Sequence, residues 1–161
     1  MCFQDNLHLL ANATLQLLDA GREPRIVVPT LLAVRCGLRR GEVVALRWRN
    51  IDLPTRRMAV VETAEQTRGE VRQKETKTGR ARVVDLSSSV VDELRRHRAA
   101  QAEEQLRLGI RPDDNSFVVA QIDGRPIQPN SLTHDWTRVL GNTGLERIRF
   151  HDLRHSQATQ M

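Results

Sequence analysis

The chain has 161 residues, 39% of them hydrophobic and 28% charged, a balance that supports one buried core and excludes a disordered polyelectrolyte. Its 25 Lys and Arg outnumber its 20 Asp and Glu, for a formal net charge of +5, which favours polyanionic partners, nucleic acid before an anionic membrane surface. Two cysteines and no signal peptide exclude a disulfide scaffold, and the longest apolar run, residues 26–34, excludes a membrane helix, which needs ~20 residues; the expected location is reducing and cytoplasmic.

In chain order, Leu7, Leu10, Leu15 and Leu18 recur at helical spacing, and Gly21 ends that first predicted helix. A second helix covers Ile26 to Cys36 and is broken by Gly37. Arg40–Leu46 then restarts a helix with Val43, Val44 and Leu46 facing inward. The period changes in residues 57–63, 70–76 and 80–86, which are short and rich in Val and Thr. Turn signals at Arg68-Gly69 and Thr78-Gly79 separate them, which predicts a small antiparallel meander with Lys77 at a hairpin tip. Ser87–Ser89 cap a long helix to Leu108 that carries Val90, Val91, Leu94 and Leu106. Residues 116–120 and the Asp123-Gly124 turn predict one more extended piece. Pro129-Asn130-Ser131 opens a helix that reaches Leu140 and ends in Gly141 to Gly144, and a final helix starts near His151 and runs to Met161. With no repeat, low-complexity tract or long linker, a single domain over 1–161 is expected.

Four basic residues stand in local patterns of chemical interest. Arg39 lies in Cys36-Gly37-Leu38-Arg39-Arg40-Gly41-Glu42, at a helix start where backbone N–H groups are free. Lys77 lies in Thr76-Lys77-Thr78-Gly79-Arg80. His151 and Arg154 are three residues apart in Phe150-His151-Asp152-Leu153-Arg154-His155, on one helical face. Phosphodiester strand transfer passes through a state with added negative charge on the non-bridging oxygens. Two planar, permanently charged guanidinium groups can clamp that charge. A lysine on a turn can protonate the departing oxygen, and a histidine can share the nucleophile's proton. Two Arg, one Lys and one His therefore form a metal-free phosphoryl-transfer set that lacks only its nucleophile. Taken singly, each is more often a solvated surface group.

The pattern as a whole resembles a known family. Gly37-Leu38-Arg39-Arg40-Gly41-Glu42-Val43-Val44-Ala45-Leu46-Arg47-Trp48 followed by Asn50-Ile51-Asp52-Leu53 looks like the first arginine box of tyrosine recombinases, the phage-integrase-like proteins. Lys77-Thr78-Gly79-Arg80-Ala81-Arg82-Val83-Val84-Asp85-Leu86 looks like their lysine segment. Asp123-Gly124-Arg125-Pro126-Ile127 is similar to the loop before their second box, and Phe150-His151-Asp152-Leu153-Arg154-His155-Ser156 looks like that box, H-x-x-R. All occur in family order over about residues 25 to 161.

The resemblance implies a mainly α catalytic domain with a small antiparallel β-sheet (α+β) that acts on double-stranded DNA, with other recombinase protomers as partners in a synaptic tetramer and no membrane. Site-specific recombination or integration would proceed by strand cleavage and rejoining through a 3′-phosphotyrosyl intermediate. The covalent link preserves the phosphate ester's bond energy, so no cofactor, metal or ATP is implied. Arg39 and Arg154 would bind the scissile phosphate, Lys77 would be the general acid, and His151 would assist proton transfer. His155 would buttress the site, Glu42 would orient Arg39, and Thr76 and Arg80 would join Arg39, Lys77 and Arg154 in touching DNA.

The sequence departs from the family at its ends. It contains no Tyr, so the expectation is an incomplete catalytic domain, without the separate N-terminal DNA-clamping domain and the C-terminal tyrosine segment, that does not cut DNA alone. Three readings compete with a truncated enzyme. One is a non-catalytic DNA-binding remnant or regulator. A second is a type IB topoisomerase, which shares the chemistry. The third is a zinc hydrolase, because His151 and His155 stand at i, i+4; against it, Asp152 occupies the place of the glutamate in the metalloprotease motif.

Overall fold

A computed structural model of the chain describes residues 16, 24–67, 70–75, 81–143 and 148–159. The helix expected over Leu7–Gly21 lies, apart from Gln16, outside the described residues. The chain divides into two compact units, Met1–Arg40 with Asn130–Met161, and Gly41–Pro129.

The first unit is helical. α1 spans Pro24–Cys36, with Pro24 at its first position, where the fixed φ of proline suits helix entry. Ile26, Val27, Val28, Leu32, Ala33 and Val34 are all buried. Gly37 adopts φ of 66° and donates its N–H to the Ala33 carbonyl at 3.2 Å, a left-handed cap that L side chains take only at a cost. The reversal returns Leu38 to the core and leaves Arg39 exposed.

α2 (Arg40–Ala45) follows Arg39 directly and carries the chain into the second unit. Returning to the first unit, the helix of Pro129–Thr143 (α4, after α3 below) buries Leu132, Trp136, Val139 and Leu140, the i, i+4, i+7, i+8 stripe of an amphipathic helix. It is described as far as Thr143, within the span Gly141 to Gly144 where the sequence predicts its end.

The last element, Phe150–Thr159, is a 3₁₀-helix rather than the expected α-helix, and residues 160–161 lie outside the described set. In a 3₁₀-helix, residues three apart eclipse one another. Phe150 and Leu153 therefore share a buried edge, and His151 and Arg154 the next one. α1 packs along this segment. Trp136 holds its start: the indole N–H donates to the Ile148 carbonyl at 2.7 Å, and the ring meets Phe150 edge-on at 5.9 Å.

The second unit surrounds two small antiparallel sheets. β1 (Ile51–Asp52), β2 (Arg57–Val60) and β5 (Arg82–Asp85) form one, in the order β1-β2-β5. β3 (Glu62–Thr67) and β4 (Glu70–Glu75) form the other. The predicted meander is thus corrected. The stretch 57–63 divides at Val61, β2 pairs with β5 across the whole excursion (Val60 opposite Arg82), and β3 pairs with β4 from Glu62 opposite Glu75 to Thr67 opposite Glu70. β4 and β5 therefore belong to different sheets and do not pair with each other.

α3 (Ser88–Arg107) is capped by Ser87, whose hydroxyl accepts the Val90 N–H, as the serine run predicts. Its buried Val90, Val91 and Leu94 join Trp48, Met58, Val118 and Val119 in the core. The extended piece at 116–120 makes only isolated bridges, Arg47 to Phe117 and Ala120 to Pro126. One set of buried polar groups in this unit is linked in a chain. The Trp48 indole donates to Gln101 at 2.8 Å, and Gln101 donates to the carbonyls of Phe117 and Val118. His97 donates Nε2–H to the same Val118 carbonyl at 2.6 Å, and burial holds its pKa below the ordinary histidine value. No described helix is long and apolar enough to cross a membrane.

Candidate functional site

Arg39 stands between α1 and α2 because Gly37 ends one helix and Arg40 begins the next. Its neighbours Leu38 and Val43 are buried anchors, while Arg39 itself is exposed. His151 is exposed and Arg154 half-buried, both on the 3₁₀ segment whose other edge is fixed by Phe150 and Leu153. His155 is exposed, and its ring stands edge-on to His151 with centroids 6.0 Å apart. The first unit therefore brings the helix that leads into Arg39 alongside the segment that carries His151 and Arg154. Thr76, Lys77 and Arg80 lie outside the described residues.

A cavity of about 660 Å³ opens beside His151 in this unit, lined by the apolar Trp136, Leu140 and Phe150 and by Arg40, Thr133 and His151. Arg40 donates Nη1–H to the Thr133 hydroxyl at 2.8 Å. Cys36 is a buried thiol whose pKa burial pushes up to about 12, so it is protonated and unreactive. Among the described residues no group of three or more His, Cys, Asp or Glu gathers as a metal site.

In the second unit Glu42 is only 2% exposed, and its two carboxylate oxygens each accept from one guanidinium nitrogen of Arg82 at 2.7 Å. The hydrogen bonds to Glu42 raise the Arg82 pKa above its usual value, so the guanidinium is held in its charged form. Sequence reasoning paired Glu42 with Arg39 and passed over Arg82. A signal was present: with period 2, β5 turns Arg82 and Val84 to one face and Val83 and Asp85 to the other, and Arg82 and Val84 are the less exposed pair. A charged residue on the inner face of a strand needs a partner.

Comparison with known proteins gives a consistent result. The description "Phage integrase family" matches residues 8–161. A XerC-like tyrosine recombinase of Caldanaerobacter subterraneus subsp. tengcongensis is 28% identical over 157 residues, 89% of this chain and 40% of that protein. An integrase of Saccharopolyspora erythraea is 31% identical over 78 residues, 48% of this chain and 18% of that protein. The chain thus spans less than half the length of these curated relatives.

Among solved structures, the Tn1549 transposon integrase in complex with a circular intermediate DNA superposes with a TM-score of 0.72 at 18% identity, over 92% of this chain and 50% of that one. XerA recombinase gives 0.68 at 16% identity over 94% and 47%, and the lambda integrase catalytic core 0.58 at 16% over 96% and 78%. The fold is that of tyrosine recombinase catalytic domains, helices with small antiparallel sheets.

Proposed function

The chain belongs to the phage integrase family, and from that membership we propose that it is the phosphate-binding part of the catalytic domain of a site-specific tyrosine recombinase that acts on duplex DNA in the cytoplasm. Arg39 and Arg154 clamp the non-bridging oxygens of the scissile phosphate, where guanidinium forks match the developing charge. Lys77 protonates the departing 5′ oxygen, and His151 accepts or shares the proton of the attacking hydroxyl. His155 supports His151 from the next turn. Thr76 and Arg80 touch the DNA backbone beside Lys77. In the whole protein, protomers would assemble on two sites and exchange strands through a 3′-phosphotyrosyl link, with no external energy source.

The observation that carries this reading is the packing of α1, which ends three residues before Arg39, along the Phe150–Thr159 segment. Two cations held on abutting elements suit one phosphate better than two. The 3₁₀ register adds that His151 and Arg154 eclipse one another, so a proton carrier and a phosphate ligand project from the same edge.

The sequence has no tyrosine, so the nucleophile is not among these residues. That composition favours a second reading, in which the chain by itself binds DNA without cutting it. Both readings require the same clamp. Duplex binding by the native chain should weaken steeply with salt, and an Arg39→Ala/Arg154→Ala double variant should lower the log–log slope by about 1.8, two phosphate contacts at ~0.9 each. Fluorescence anisotropy over a range of salt concentrations, with circular dichroism to show both proteins folded, measures this. Equal slopes would remove both arginines from the interface.

A further inference from the structure

We propose that Thr133 is a positioning residue for the phosphate clamp: it accepts a hydrogen bond from Arg40 and so holds the backbone of Arg39 on the helix that also holds the His151 segment. The inference rests on the reading of Arg39 and Arg154 as ligands of one phosphate. An arginine side chain is long and flexible, so its reach is set by where its backbone is held, and displacements of about 1 Å matter at a reacting centre. Arg39 is itself exposed, and its two neighbours are anchored instead. Leu38, on one side, is set in the core at 1% exposure. Arg40, on the other, donates Nη1–H to the Thr133 hydroxyl at 2.8 Å. All of these residues belong to the first unit.

Thr133 and Trp136 stand three residues apart on α4, neighbours on one face of the helix. Trp136 donates its indole N–H to the Ile148 carbonyl at 2.7 Å and meets Phe150 edge-on, and Phe150 directly precedes His151. A single turn of α4 therefore grips the residue after Arg39 and the residue before His151. The space between the two grips is not packed core. Arg40, Thr133, Trp136 and His151 line one cavity of about 660 Å³. Close packing does not fix the relation across that cavity, so the hydrogen bond from Arg40 carries it. Threonine suits the task for two reasons. Its β-branch restricts χ1 and so aims the hydroxyl. The hydroxyl also accepts from a guanidinium without neutralising it, so the positive charge beside Arg39 is kept. The product is geometric: a fixed relation between the arginine box and the second motif.

A double-mutant cycle tests this, with the salt dependence of duplex binding as its readout. The whole chain and each variant are titrated with a short mixed-sequence duplex by fluorescence anisotropy at several salt concentrations, and circular dichroism shows each to be folded. Arg39→Ala should lower the log–log slope by ~0.9, one phosphate contact. Thr133→Val keeps the shape and loses the acceptor. It should lower the slope by a comparable ~0.9 in the native chain and by almost nothing once Arg39→Ala is present. A merely structural role would weaken binding alike in both backgrounds and leave the slope unmoved. Thr133→Ser restores the hydroxyl and should recover most of the slope. Arg40→Met removes the donor without touching α4, should reproduce Thr133→Val in both backgrounds, and serves where that variant fails to fold. A native slope in folded Thr133→Val or Arg40→Met, with the slope of Arg39→Ala lowered, would overturn the positioning role. So would a further loss of slope when Arg40→Met is added to Arg39→Ala, which would make Arg40 a phosphate ligand itself. An unchanged slope in Arg39→Ala would instead overturn the placement of Arg39 at a phosphate, and the role of Thr133 with it.

Discussion

Replacing Trp136 with alanine is expected to lower folding stability by about 3–5 kcal/mol, the range for emptying a large buried aromatic site. Trp136 is 1% exposed, and three separate interactions depend on it. The indole fills the interior face of α4 beside Leu132 and Leu140, its N–H satisfies the Ile148 carbonyl, and its ring receives Phe150 edge-on. Truncation leaves a void, an orphaned carbonyl and an unsupported Phe150, and Phe150 is the residue before His151. Trp136→Phe separates these effects. It keeps most of the apolar volume and loses the N–H donor, so it should cost roughly 1–2 kcal/mol. Urea denaturation followed by circular dichroism measures both. A loss for Trp136→Ala no larger than that for Trp136→Phe would mean that the hydrogen bond, not packing, holds the second motif in place.

The second large effect is a reversal of sign between two glycines that both lie in helices. Gly41→Ala is expected to destabilise by about 1–3 kcal/mol, the cost of forcing a methyl into occupied space. Its Cβ would meet the Ala64 carbonyl oxygen and the Thr63 hydroxyl, both at 2.5 Å, and the carbonyl is backbone and cannot rotate away. Gly141→Ala meets nothing within 4 Å and should stabilise by about 0.5–1 kcal/mol, because alanine is the better helix former. The same denaturation experiment reads both. Two variants of equal sign would contradict the close approach of α2 and β3.

Much of this fold was legible in local pattern. The break at Gly37, the serine cap of α3 and the apolar stripe of α4 are each set within a few residues, so spacing and turn chemistry reveal them. Strand pairing was not legible. Val and Thr mark strands at 57–63 and 80–86, but whether β5 joins β4 or crosses back to β2 depends on contacts some 25 residues apart. The last element reads as a helix in either register, since Phe150 with Leu153 and His151 with Arg154 are three apart, a spacing that fits 3₁₀ and α periods alike. Within the candidate site, Arg39, His151 and Arg154 are proposed from motif and chemistry. Arg82 was missed because its partner is 40 residues away in sequence, and its strand alternation alone says only that some partner must exist.

The central claim is that Arg39 and Arg154 serve one phosphate. A crystal structure of this chain on a short duplex tests it most directly. The account predicts both guanidinium groups about 2.7–2.9 Å from the non-bridging oxygens of a single phosphate, the spacing of charge-assisted hydrogen bonds, with the His151 ring facing the same phosphorus. Arg39 and Arg154 on different phosphates, or either one turned to solvent while the duplex is bound elsewhere, would contradict it.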